Sequence, residues 1–107
     1  MTDSGIPAGI EIEQVYLVEA RYTPEAAERR PAVRATHLAR AAELKRAGTI
    51  VEVGAYSDAL TSSILLVRAA STDEALDLAR QDVYVSAGVW GEITARPFGR
   101  IDVDGSR

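Results

Sequence analysis

A chain of 107 residues suits one compact domain and leaves no room for two independent cores. With 47% hydrophobic and 26% charged residues it has the balance of an ordinary globular protein, and a formal net charge of -4 speaks against nucleic-acid binding, which needs a positive field. The absence of cysteine excludes disulfides, thiolate nucleophiles and cysteine-based zinc sites, and a lone histidine argues against a histidine-rich metal centre. No signal-peptide pattern and no long apolar run are present, so the expected compartment is the cytoplasm, with no membrane partner.

In chain order, residues 1–10 carry Gly5, Pro7 and Gly9 and read as a loose tail. Residues 12–22 (IEQVYLVEARY) follow as a strand with apolar residues on both parities, the pattern of a strand covered on both faces. Thr23 and Pro24 offer an N-cap and a first helical position, with a short turn through Glu28 that Pro31 should interrupt or restart. From Ala32 to Ala47 the chain favours helix: Val33, His37, Ala41 and Leu44 recur at helical spacing, Lys45 and Arg46 suit the negative C-terminal end, and Gly48 suits the residue that ends it.

Residues 49–58 make a second strand with Gly54 as a break or bulge, and residues 62–70 a third. Ser71-Thr72-Asp73-Glu74 has the form of a capping box opening a second helix through Arg80. Residues 81–88 then connect to a last strand at residues 89–98, and residues 102–107 form a loose end. The order β-α-β-β-α-β, with right-handed crossovers, folds as a four-stranded antiparallel sheet with both helices on one face, the ferredoxin-like α+β arrangement. The other sheet face lacks cover, and a homodimer through it is the expected remedy.

Chemistry is scarce in this chain, which makes His37 conspicuous. Histidine is the side chain whose charge changes near neutral pH, so a histidine beside an apolar face serves either as a core-edge hydrogen-bond donor or as an acid–base group. By periodicity alone the first is the plainer reading. Asp82 is the second candidate: at a helix C-terminus the macrodipole favours a cation, so a carboxylate there points to some other partner. An aspartate beside a histidine fixes its tautomer and stabilises the imidazolium. Tyr84, Tyr56 and Trp90 are candidates to line a cleft next to the pair, or simply to pack. Arg29, Arg30, Arg34 and Arg40 cluster along the first helix, either as a solvated face or as a site for a small anion. Ser63 opens the third strand, but no G-x-S-x-G elbow marks a serine nucleophile and no glycine-rich loop cradles phosphate.

Two separated stretches, RPAVRATHLARAAELKRAG and QDVYVSAGVWGEITARPFGRI, resemble the YciI-like (YCII-related) family over residues 15–101. His37-Leu38 with Arg34 before and Arg40 after matches its H-L-x-R motif. Asp82, Tyr84, Ala87, Gly88, Val89 and Trp90 match its later D-P-[YF]-x-x-A-G-[VL]-[YW] segment, and Pro97-Phe98 the P-F ending. The resemblance implies a ferredoxin-like fold in a dimeric α+β barrel, with His37 and Asp82 as an acid–base pair. It also implies chemistry without a cofactor, since relatives include a lyase that removes chloride from a chlorinated hydroxyquinone, and muconolactone isomerases share the fold. Val83 stands where the family has proline, Gly54-Ala55 where it has G-P, and the connection at residues 56–61 is short.

Two functions follow as expectations. One is a cofactor-independent lyase or isomerase of a small cyclic or phenolic metabolite, with His37 and Asp82 catalytic and Arg34, Tyr84, Trp90 and Ser63 binding substrate, without a metal. The other is a non-catalytic small-molecule-binding or assembly module of the same fold.

Overall fold

The computed structural model describes residues 5–103. The element order is β1 (Ile10–Tyr22), α1 (Ala26–Arg46), β2 (Ile50–Ala55), β3 (Ser62–Val67), α2 (Thr72–Arg80), a one-turn α3 (Val83–Ser86) and β4 (Trp90–Val103). The strands form one sheet in the order β2-β3-β1-β4, and every neighbouring pair is antiparallel. This is the ferredoxin-like arrangement expected from the order of elements.

Strand alternation decides where the core sits. Tyr16, Val18 and Ala20 of β1 lie opposite Val67, Leu65 and Ser63 of β3, and the apolar ones among them join Ala75 and Ala79 of α2 in the buried cluster. The opposite parity presents Leu17, Ile64 and Leu66, half-buried, and Phe98, exposed, on the face without helices. Beyond the reach of β3, residues 10–15 of β1 and 98–103 of β4 pair only with each other as a two-stranded ribbon. Ile10 pairs with Val103 and Ile12 with Ile101, so four apolar side chains share one ribbon face; Ile12 is 51% and Ile101 67% exposed.

Several boundaries differ from the sequence expectation, each for a physical reason. Helix α1 begins at Ala26 and runs through Pro31. Proline removes only the hydrogen bond to the carbonyl four residues back, at Ala27, and both residues are exposed, so solvent satisfies that carbonyl. Glu25, not Thr23, holds the N-cap position, and Thr23 spends its hydroxyl on the Gly88 carbonyl at 2.6 Å. At the other end Gly48, at φ +82°, closes α1 as expected, with Thr49 N–H donating to Leu44 O.

The capping box of α2 forms with a one-residue offset. Ser71 Oγ accepts from Glu74 N–H, and the Glu74 carboxylate accepts from Ala70 N–H rather than from Ser71. Strands β2 and β3 stop at Ala55 and Val67, short of the expected Asp58 and Ala70. Strand β4 runs on to Val103, so Ile10, Asp102 and Val103, assigned to the tails by composition, are paired strand residues. Residues 1–4 and 104–107, the rest of those tails, lie outside the described residues.

Candidate active site

The largest departure from the sequence reading falls on residues 81–88. Instead of a plain connecting loop, Asp82 caps the N-terminus of α3: its backbone is extended (φ -72°, ψ 144°) and its Oδ1 accepts from Tyr84 N–H at 2.9 Å. The carboxylate therefore sits at the positive end of one helix rather than misplaced at the negative end of another. Gly88, at φ +75°, ends α3 with Gly88 N–H on Val85 O and Val89 N–H on Tyr84 O, a Schellman closure. A Cβ at Gly88 would also meet the Arg29 guanidinium at 2.6 Å, but that flexible, exposed side chain can move aside, so it is the positive φ that calls for glycine. Thr23, which leads into α1, binds Gly88 O through its hydroxyl and Val89 O through its N–H. That clasp holds the α3 turn against the start of the helix that carries His37.

His37 Nδ1 and Asp82 Oδ1 are 2.9 Å apart, and both residues are buried, at 8% and 4% exposure. The other carboxylate oxygen, Oδ2, accepts from Arg40 Nη1 at 3.1 Å, while Arg40 Nη2 donates to Leu78 O at 2.8 Å. Burial pushes the Asp82 carboxyl up, but the hydrogen bonds from His37, Tyr84 N–H and Arg40, with the His37 charge, outweigh it and hold it below the ordinary carboxylate value. An ionised Asp82 fixes the tautomer of neutral His37 with the proton on Nδ1, leaving the Nε2 lone pair available.

The imidazole is locked by aromatics as well. Tyr84 stacks on it with centroids 3.7 Å apart and planes within 8°, and Trp90 meets its edge at 5.3 Å and 83°. Trp90 reaches this position through a bulge: Ala20 pairs with Ile93 but Tyr22 pairs with Trp90, so Gly91 and Glu92 together oppose Arg21. His37 Nε2 makes no hydrogen bond among the described residues and is not one of the buried unpartnered atoms.

Of the candidates from sequence, His37, Asp82, Tyr84 and Trp90 therefore converge. Arg34 and Ser63 do not touch the pair. Arg34 is exposed and lines a shallow hollow of about 270 Å³ with Ala27, Arg30 and Pro31, and Ser63 is buried with its hydroxyl 3.0 Å from Tyr22 OH. Tyr56 is exposed in the β2–β3 connection and takes no part in the ring stack. Sequence reasoning missed Arg40 as a partner of Asp82, although its place three residues after His37 sets it on a neighbouring part of the same helix surface. Among the described residues, no three His, Asp or Glu side chains gather closely enough to share a metal ion.

A ferredoxin-like α+β domain with a buried, helix-capping His–Asp pair is thus the class that fold and site define. Residues 15–99 match the profile of the YCII-related domain, and the chain belongs to that family. It is 32% identical over 95 residues, 80% of this chain and 97% of the relative, to an uncharacterized protein of Haemophilus influenzae. Its fold is similar to that of 5-chloro-2-hydroxyhydroquinone dehydrochlorinase from Burkholderia phenoliruptrix, solved in complex with 2,5-dihydroxybenzoquinone. The TM-score is 0.66 at 23% identity, over 78% of this chain and 92% of that one.

Two outcomes are expected of this geometry. Val83 occupies the first helical position of α3, where an N–H has no helical partner, and Asp82 already holds the extended backbone that precedes proline. Val83→Pro should therefore raise stability by about 0.4–1 kcal/mol in urea denaturation, mainly by restricting the unfolded chain; a loss would contradict the free N–H. Because the folded Asp82 value is depressed, its contribution is present above the unfolded value of about 3.9 and is lost as pH falls through the folded one. The stability gap between wild type and Asp82→Asn, about 1–3 kcal/mol near neutrality, should close in acid, and a gap unchanged below pH ~3 would exclude an ionised Asp82.

Proposed function

We propose that this chain is a small cytoplasmic lyase or isomerase that moves a proton on a cyclic or phenolic metabolite without a cofactor. The observation that carries this reading is the 2.9 Å Nδ1–Oδ1 contact, which commits one side of the imidazole to a carboxylate and leaves Nε2 unengaged. The neighbour of similar fold is a dehydrochlorinase solved with a dihydroxybenzoquinone, which supports this class of substrate.

In the proposed reaction, Nε2 of neutral His37 takes a proton from a C–H or O–H of the substrate. The resulting imidazolium keeps its Nδ1–H on Asp82, whose negative charge stabilises it. Isomerisation follows when the proton returns to a different substrate atom. Elimination follows when a leaving group such as chloride departs with its bonding pair. Asp82 orients throughout; Arg40 and the Tyr84 N–H keep it ionised and fixed. Tyr84 and Trp90 hold the ring in place.

One observation favours the non-catalytic reading: His37 is stacked and mostly buried, as a structural histidine would be. Proton exchange separates the two. Hydroxylated aromatics and hydroxyquinones, 2,5-dihydroxybenzoquinone among them, are incubated with the protein in D₂O and followed by proton NMR. Wild type should accelerate deuterium incorporation into at least one, and His37→Asn, checked to be folded, should lose roughly 10²–10⁴-fold. No difference between wild type and variant across the panel would sink the enzyme reading.

The same proposal includes a homodimer through the helix-free sheet face. On that face Leu17, Ile64 and Leu66 are half-buried and Phe98 is 40% exposed, an apolar surface without cover from the helices. Sedimentation equilibrium should give twice the 11.5 kDa chain mass. The double variant Leu66→Glu, Phe98→Glu should weaken association. A wild-type protein that stays monomeric at high micromolar concentration would refute the dimer.

A further inference from the structure

The buried stripe of α1 runs Ala26, Arg30, Val33, His37, Ala41, Leu44, and Arg30 is the arginine on it, two turns before His37. Its guanidinium lies over the Tyr22 ring, 5.8 Å from the centroid, and the Tyr22 hydroxyl is 3.0 Å from Ser63 Oγ. Arg30 Nε is buried and donates to nothing among the described residues. Trp90 stands cross-strand from Tyr22, is 3% exposed, and its indole Nε1 is likewise buried and unpartnered. Neither Arg30 nor Arg34 forms an ion pair among the described residues, and the hollow they line with Ala27 and Pro31 contains no carboxylate.

Buried N–H donors are almost always satisfied, because leaving one unpaired forfeits its hydration without return. Here one such donor belongs to the guanidinium that lies over the Tyr22 ring, and the other to Tyr22's cross-strand neighbour, the indole whose ring touches His37. Both ask for an acceptor, and the guanidinium asks for a negative one. The half-buried Tyr22 ring suits a flat aromatic neighbour. We propose that Arg30 and Trp90, with the Tyr22–Ser63 hydroxyl pair, form a subsite beside His37 for the anionic oxygen of a small planar aromatic, a carboxylate or a phenolate.

The inference deepens the acid–base reading and rests on it for the purpose of the subsite: an anion held there would let negative charge develop on the ring as His37 removes a proton. The subsite's existence is testable by binding alone. Trp90 is the single tryptophan of the chain, so its indole N–H gives one resonance in a ¹H–¹⁵N spectrum. The probe is sodium benzoate, with benzyl alcohol as the uncharged ring of similar shape.

Benzoate should move the indole resonance to saturation in the millimolar range, benzyl alcohol far less. Arg30→Gln should weaken benzoate roughly tenfold or more while leaving the weak response to benzyl alcohol alone. If Arg30→Gln does not fold, Arg30→Lys, which keeps a cation but removes Nε–H, should weaken benzoate in the same direction. An indole resonance that benzoate leaves in place, or equal benzoate affinity in wild type and the folded Arg30 variant, overturns the subsite. His37→Asn separates the two readings, because it should still bind benzoate after losing deuterium exchange. Arg30-dependent benzoate binding in a wild type without exchange activity would refute the enzyme reading and leave the subsite standing.

Discussion

The Asp82 carboxylate is the point on which the second half of the domain is hung. One oxygen accepts from His37 and from the Tyr84 N–H, and the other accepts from Arg40, so a single side chain joins α1 to the start of α3. A buried carboxylate without those partners would be costly; with them it is ionised and directional. The same hydrogen bonds that offset its burial also set the tautomer of His37. Structural support and the orientation of the imidazole are therefore one arrangement, and removing either partner disturbs both.

The rest of the site follows from how the chain is led to that carboxylate. Gly88 ends α3 in a left-handed turn, and Thr23 clasps that turn beside the first residues of α1. Tyr84 is thereby laid flat on His37, and β4 starts with Trp90 already facing inward. Tyr84, Val89 and Trp90 belong to the main buried cluster, so the imidazole is positioned by core packing rather than by a mobile loop. Such a setting suits a group that must hold one orientation within small tolerances.

The sheet and its two long helices were legible because alternation and helical spacing are carried by many residues at once, and an error at one position changes little. His37 and Asp82 were legible as candidates because each is chemically singular in its stretch. Helix α3 was not, since four residues, Val83–Ser86, are too few to display a period. That omission inverted the reading of Asp82, placing it at a helix end that repels carboxylates instead of one that attracts them. Pro31 misled in the opposite direction, because the rule that proline breaks helices assumes a carbonyl with no other recourse. Nothing in the sequence parts Arg30 from Arg29 and Arg34, whose cluster reads either as a solvated face or as a small-anion site, and only the three-dimensional course of α1 shows it on the stripe that carries His37.

The irregularity where Gly91 and Glu92 face Arg21 has a wider meaning for β4. A strand is a two-beat sequence, and one extra residue resets its phase. Ile93 and Ala95 keep time with the core, yet Trp90, three positions earlier rather than two or four, faces the same way. If the same residues ran on without the bulge, strict alternation would present Gly91 to His37 and turn the indole outward. Losing either Gly91 or Glu92 would leave Trp90 two positions before Ile93 and still facing inward, whereas straightening the bulge with both residues kept would exchange an aromatic wall for an empty space. The backbone path through that one step, as much as residue identity, is what keeps the surroundings of the pair.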